Sequence, residues 1–286
     1  MNETDRTQPH PLPKVALIGV GSMGGAILAG LRAPHVQIER PIVVTTHSEA
    51  SAQVYVGADD VIARASETDT AANRTAVADA RIVMLAVKPW MIHDVLREIA
   101  DHLVPGTIVV SVAAGVTTAS METLLPEGIA VVRAMPNTPS HVGLGVTGIA
   151  GGASAHDADI DIVRRLFETV GAVLVVREEQ INAVAAVSGS GPAYLFLYVE
   201  EMTAAARRLG FDEDQAALLA EQTVIGAAEL MRRSSEPPAQ LRRNVTSPKG
   251  TTEQAIGVLQ SAELGELFDR ALAANIRRSQ ELEAGA

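Results

Sequence analysis

The stretch Val15-Ala16-Leu17-Ile18-Gly19-Val20-Gly21-Ser22-Met23-Gly24 decides the fold. Its four opening apolar residues have no polar break, as expected of a strand buried on both faces of a parallel sheet. Gly19, Gly21 and Gly24 follow the pattern G-x-G-x-x-G, and Gly25 to Leu31 continues as a helix ending near Pro34. Glycines at this spacing permit a tight turn and let backbone N–H groups approach a pyrophosphate at the positive end of the helix. A glycine-rich turn alone also has a plain structural reading. Its place between a strand and a helix, first in a series of such units, favours dinucleotide binding. Gly19, Val20, Gly21, Ser22, Met23 and Gly24 are the candidate cradle.

Outward from this turn, Pro41 to Thr46, Arg81 to Val87, Thr107 to Ala113 and Ile129 to Arg133 read as further strands, with Val146 to Ala150 and Val173 to Val176 after them. A short helical piece lies around Thr118 to Leu125. Strands alternating with helices imply a doubly wound, mostly parallel sheet of Rossmann type. The alternation stops near Arg177. Beyond it only helical periodicity remains: Gln180 to Val187, Pro192 to Leu209, Asp212 to Met231, and Thr251 to about Glu283. Pro192 opens one of these helices and Asp212 is the expected N-cap of the next. The expected class is α/β: an N-terminal extension over 1–13 without order, a dinucleotide domain over 14–177, and an all-α C-terminal domain over 178–286.

Composition narrows the functions. In 286 residues, hydrophobic types make up 47% and only eight are aromatic, so a core of Ala, Val, Leu and Ile is expected. The net charge of −11 and the lack of clustered Lys and Arg argue against nucleic-acid binding. With no cysteine, disulfides, thiolate catalysis and Cys-ligated metals are excluded. The histidines show no metal spacing, so no metal site is expected. No apolar run approaches a membrane span, and the first residues lack a signal-type apolar core. A cytoplasmic protein with no membrane association is expected.

The second strand bears on which dinucleotide. It runs into Thr45-Thr46-His47-Ser48, with no acid before Glu49. A carboxylate at this point holds the ribose hydroxyls of NAD and would repel a 2′-phosphate. Its absence favours NADPH, with NADH as the alternative, although His47 and Ser48 also read as ordinary turn residues. Ala86-Val87-Lys88-Pro89 and Ser111-Val112-Ala113-Ala114 lie at other strand ends, on the edge where open sheets bind ligands. Lys88 reads equally as a solvated strand-end residue.

Taken together, I-G-V-G-S-M-G-G-A-I, L-A-V-K-P, S-V-A-A-G-V-T, V-R-A-M-P-N-T-P, A-V-S-G-S-G-P-A-Y and V-T-S-P-K-G-T-T resemble the pyrroline-5-carboxylate reductase family, in its order and from Lys14 to about Ser279. The resemblance implies reduction of a cyclic imine bearing a carboxylate, giving L-proline in the last step of its biosynthesis. It implies that Gly19–Gly24 cradles the pyrophosphate and that Ala86, Val87, Lys88, Pro89, Ala113 and Ala114 flank the nicotinamide. Asn73 falls near the cofactor, and His47 stands where many members carry an arginine for the 2′-phosphate. Asn244, counted with the cofactor contacts, adjoins the substrate-carboxylate loop of Ser247, Gly250, Thr251 and Thr252. Thr252 aligns with the hydroxyl residue facing the imine nitrogen, and Ser190 lies in the glycine-rich helix entry beside the substrate. A homodimer is implied, alone or within a higher oligomer.

One departure stands inside the loop, because the family commonly reads S-P-G-G-T-T and Lys249 replaces the first glycine. If the backbone there needs φ > 0, the lysine costs stability. If a side chain is tolerated, its ammonium adds positive potential near a bound carboxylate. From residue types alone, Ser247–Thr252 also reads as a turn and helix cap.

Two other chemistries fit the two-domain plan. A β-hydroxyacid dehydrogenase needs a lysine on a helix of the second domain, and after Glu178 the sole lysine is Lys249, in a loop. A reductase of another cyclic imino acid remains the alternative. A non-catalytic NADPH sensor would have no reason to keep T-S-P-K-G-T-T.

Overall fold

The computed structural model describes residues 11–284. The elements run β1 (Val15–Ile18), α1 (Ser22–Leu31), β2 (Ile42–Thr46), α2 (Glu49–Gln53), β3 (Val61–Ala65), α3 (Ala72–Val77), β4 (Ile82–Leu85), α4 (Ile92–Ile99), β5 (Ile108–Ser111) and α5 (Thr118–Glu122). They continue with β6 (Ala130–Met135), β7 (Gly145–Gly151), α6 (Asp157–Glu168), β8 (Gly171–Val175), α7 (Ile181–Val184), α8 (Gly191–Arg208), α9 (Glu213–Arg233), α10 (Pro238–Asn244), α11 (Thr251–Ser261) and α12 (Leu264–Glu283). The chain divides into two compact units. One holds the described residues up to Gly189 together with Ile276 onward; the other is Ser190–Asn275.

The first unit is built on one eight-stranded sheet in the order β3-β2-β1-β4-β5-β6-β7-β8. All neighbours are parallel except β6 and β7. Strands β1, β2, β4 and β5 are buried at every residue, which is why they read as unbroken apolar runs. Alternate residues serve opposite layers. Leu17, Val44 and Met84 pack with Ile27, Leu31 and Phe167. Ile18, Val83 and Leu85 pack with Ile92, Leu96 and Ile99 on the other face. The order reverses between β1 and β4, so their carboxyl ends form the crevice where open sheets take ligands.

The second unit is all helix. Asp212 caps α9, accepting from the Gln215 N–H at 2.9 Å, and Pro192 stands in the first turn of α8. Of its side chains only Ala216 and Ala220 are buried, while Phe196, Leu197, Leu218, Ile225, Val258 and Phe268 are exposed. Eighty-odd residues with so little buried apolar surface cannot offset their own ordering entropy.

Several expectations need correcting. β3 was not anticipated: it is an edge strand with Ile62 exposed, and Arg64 breaks its apolar run. Helix α6 was also not anticipated. The single helix expected over Thr251 to Glu283 is two, interrupted where Glu263 adopts φ 50°. The residue that turns is a glutamate, and Gly265 just beyond it reads as an ordinary helical residue, so periodicity carried through the break. The unordered extension expected over 1–13 lies outside the described residues for 1–10. Leu12 is buried and bridges to Ile38, its N–H donating to Gln37 O at 2.8 Å.

Candidate active site

The glycine turn closes tightly on the sheet. Gly19 has φ +90°, and its N–H donates to Thr45 O at 3.0 Å. A Cβ on Gly19 would lie 2.8 Å from Ala86 O, and one on Gly24 would lie 2.2 Å from Gly19 O. Both positions therefore exclude any side chain. Gly21, by contrast, faces open space. The N-terminus of α1 is thus bare on its outer side, and its first N–H groups have no partner within the helix. That is the space a pyrophosphate requires, so these residues fit a dinucleotide.

The other cofactor-side candidates line the same sheet edge. The Ala86 N–H donates to Ile18 O at 2.8 Å, which sets the β4 end beside the glycine turn. Lys88 is exposed and precedes the 3-10 turn Pro89–Met91, and Val87 is half-buried. Ala113 is buried, its N–H donating to Ser111 Oγ at 3.2 Å, and Ala114 is exposed. After β2, His47 is exposed, and Ser48 caps α2 by accepting from the Ser51 N–H at 3.3 Å. Glu67 Oε1 accepts from the Glu49 N–H at 2.6 Å, bringing a carboxylate to a turn that carries none at the strand end. Asn73, on α3, donates from Nδ2 to Glu98 Oε2 at 2.9 Å.

The remaining candidates belong to the second unit. Asn244 is engaged locally, donating to Glu236 Oε2 just before α10 and accepting from Gln240 Nε2 within it, both at 2.7 Å. The loop turns at Ser247, whose carbonyl accepts from the Gly250 N–H at 3.0 Å. Lys249 has φ 60°, so the position does demand a left-handed backbone and the lysine is strained there. Its N–H donates to Glu253 Oε2 at 2.7 Å. Thr251 and Thr252 open α11, where their N–H groups have no intrahelical acceptor. Thr252 is exposed, and its hydroxyl has no partner among the described residues. Ser190 Oγ accepts from Asn275 Nδ2 at 2.8 Å.

Sequence reading missed three supporting groups in the first unit. Arg133 is buried in β6, with Nη1 2.8 Å from Glu283 Oε1 and 3.7 Å from Glu178 Oε1, while Nη2 donates to Asn182 Oδ1 at 3.2 Å. The arginine in V-R-A-M-P-N was the available signal, since a buried guanidinium demands carboxylates. Asn137 is buried too: it accepts from the Val146 N–H at 2.8 Å and donates to Ser188 O at 3.0 Å. That second bond reaches the π-helical turn Ala185–Gly189, a distortion frequent at functional sites. His141, in the 3-10 turn Thr138–Val142, lies with Nε2 3.0 Å from Ser22 Oγ of the cradle.

The groups with shifted titration lie away from these residues. Hydrogen bonds from Arg32 hold Asp60 below the usual carboxylate range, Arg164 does the same for Asp161, and Arg232 with Arg233 brings Glu229 down to about 2. A cleft of about 670 Å³ between α8 and α9 is lined by Leu195, Phe196 and Val199 facing Ala217, Val224 and Ile225. It contains no residue of the cradle or of the 247–252 loop and belongs to the apolar face of the helices. Among the described residues no cluster of acidic and histidine side chains could hold a metal ion, and no helix is long and apolar enough to cross a membrane.

Known proteins resemble this chain along nearly its whole length. Residues 178–282 match the family model described as pyrroline-5-carboxylate reductase dimerisation. Residues 14–115 match NADP oxidoreductase, coenzyme F420-dependent. A pyrroline-5-carboxylate reductase of Pseudomonas aeruginosa is 40% identical over 94% of this chain and 97% of its own, and one of Corynebacterium melassecola is 39% identical over 94% and 98%. The solved structure of a pyrroline-5-carboxylate reductase from Coxiella burnetii superposes with a TM-score of 0.87 at 40% identity, covering 95% of this chain and 98% of that one. The Plasmodium falciparum pyrroline carboxylate reductase, solved with NADP bound, shares the fold with a TM-score of 0.78 at 24% identity, covering 94% of this chain and 98% of that one. With a cradle that fits a dinucleotide and relatives this similar over this much of its length, the chain belongs to the pyrroline-5-carboxylate reductase family.

Proposed function

We propose that the protein reduces 1-pyrroline-5-carboxylate to L-proline with NADPH. The observation that carries this reading is the pairing, in one chain, of a dinucleotide cradle at β1–α1 with a helix start at Thr251 bearing unengaged N–H groups and a free hydroxyl. The nicotinamide supplies a hydride when bound. The imine carbon receives it, and a nitrogen that enters protonated needs no further proton to become the secondary amine. The chain's residues are left with binding and orientation. The Thr251 and Thr252 N–H groups, with Ser247 and Gly250 shaping the loop, hold the substrate carboxylate. The Thr252 hydroxyl hydrogen-bonds the ring nitrogen, and Ser190 borders the pocket.

Gly19–Gly24 cradles the pyrophosphate, and the Ala86–Pro89 and Ala113–Ala114 loops flank the nicotinamide. NADPH is favoured over NADH because no carboxylate ends β2; Glu67, held against Glu49, opposes that preference. Asn73 keeps a side-chain carbonyl free among the described residues beside its bond to Glu98, and it is the asparagine proposed on the cofactor side, with Asn244 counted there too.

Strand–helix alternation ends at Arg177, the proposed start of the helical region, while the compact units themselves divide at Gly189. The working species is a homodimer in the cytoplasm, alone or within a larger assembly. A second copy covers the helical unit, whose apolar side chains otherwise face water. Incubation with NADPH and the imine should yield proline, identified by chromatography. A higher kcat/KM for the six-membered cyclic imine would favour the alternative substrate instead.

A further inference from the structure

We infer that His141 is a positioning residue for the cofactor: its imidazole orients the Ser22 hydroxyl so that the hydroxyl proton points at a pyrophosphate oxygen. This rests on the cradle reading given above. Ser22 is the first residue of α1, immediately after Gly21, on the side of the turn left open. His141 Nε2 stands 3.0 Å from Ser22 Oγ, and both side chains are exposed.

That contact accommodates the proton in either direction. A phosphate oxygen accepts and never donates, so with a pyrophosphate in the cradle the hydroxyl must spend its proton on the phosphate. Nε2–H then donates to Ser22 Oγ, and each bond of the pair polarises the other. Without the imidazole, the serine hydroxyl is free to rotate and part of its strength as a donor is lost.

The support behind His141 is rigid. Its turn begins after Asn137, which is fixed by Val146 N–H and Ser188 O, and ends at Gly143 in a left-handed conformation. Gly145 packs so closely on the turn that a Cβ there would lie 2.2 Å from Ser140 Oγ. The elements packed against this turn, α1 and β7, carry no titratable side chain. No carboxylate from either competes for the imidazole.

The test is a double-mutant cycle on the full-length protein, reading the Kd of NADPH and of NADH by fluorescence together with kcat and KM. His141→Leu and Ser22→Ala should each weaken both dinucleotides about fivefold, the loss of one hydrogen bond. The NADPH-to-NADH ratio should stay constant, because the pyrophosphate is common to both. The double variant should be no weaker than Ser22→Ala alone, and His141→Gln, which keeps an N–H donor, should recover most of the affinity. Additive losses, or unchanged affinity in His141→Leu, would overturn the assignment of His141 while leaving the functional reading in place. Wild-type protein that binds neither dinucleotide would overturn both.

Discussion

Arg133 Nη1 of β6 lies 2.8 Å from Glu283 Oε1, at the end of α12, in a position where the arginine is almost fully buried. A strand in the middle of the chain is thereby tied to its last described turn. Glu178 completes the cluster and also accepts from the Thr118 N–H at 2.6 Å and from the Thr118 hydroxyl. Desolvating a guanidinium is costly, and here two carboxylates and Asn182 offset that cost. Glu283→Ala leaves Arg133 under-compensated and should lower unfolding stability by about 2 kcal/mol. Urea unfolding measures it; an unchanged midpoint would remove this clamp from the account.

Lys249 is a second local conflict. A left-handed lysine costs about 1–2 kcal/mol, of which a glycine returns part as extra unfolded-state entropy. Lys249→Gly should therefore stabilise the protein by roughly 0.5–1 kcal/mol. If the ammonium aids a bound carboxylate, the same variant raises the KM for the imine and weakens its dependence on ionic strength. Stabilisation with an unchanged KM would leave the lysine without a role in binding.

Thr252→Ala should lower kcat by about tenfold or more while cofactor affinity stays within twofold, the hydroxyl acting on the substrate alone. Stopped-flow turnover with parallel NADPH titration separates the two. A loss confined to NADPH binding would reassign Thr252 to the cofactor.

Acid sensitivity follows from the depressed carboxylates. Asp60 accepts from Arg32 Nε at 2.8 Å and from Arg40 Nη1 at 2.7 Å, and Glu229 is held down to about 2 by Arg232 and Arg233. Both folded values lie below the unfolded ones, so each contribution is present above the ordinary carboxylate range and is lost as pH falls through the folded value, which for Glu229 is about 2. Glu229→Gln should flatten the acid limb of a stability–pH curve without changing its neutral plateau by more than the lost ion pair. A steeper limb in the variant would contradict the sign.

Legibility tracked burial. β1, β2, β4 and β5 were readable because both faces are covered, and the glycine turn because Gly19 and Gly24 admit no side chain. β3 hid because an edge strand is half solvated, and the break before α12 because the residue that turns the chain is a glutamate, Glu263, and not the nearby Gly265. The loop at Thr252 was found by its likeness to a family, since its residue types alone also describe a helix cap. Arg133, Asn137 and His141 gave little local sign of their roles, which depend on partners at sequence separations of 150, 51 and 119 to Glu283, Ser188 and Ser22. Spacing along a chain reports neighbours on one element, not contacts between elements.

Following NADPH absorbance with purified protein and 1-pyrroline-5-carboxylate tests the proposed reduction. NADPH should be oxidised only when the imine is present, with one proline formed per NADPH consumed. Protein that binds NADPH yet leaves it unoxidised in the presence of the imine would contradict it.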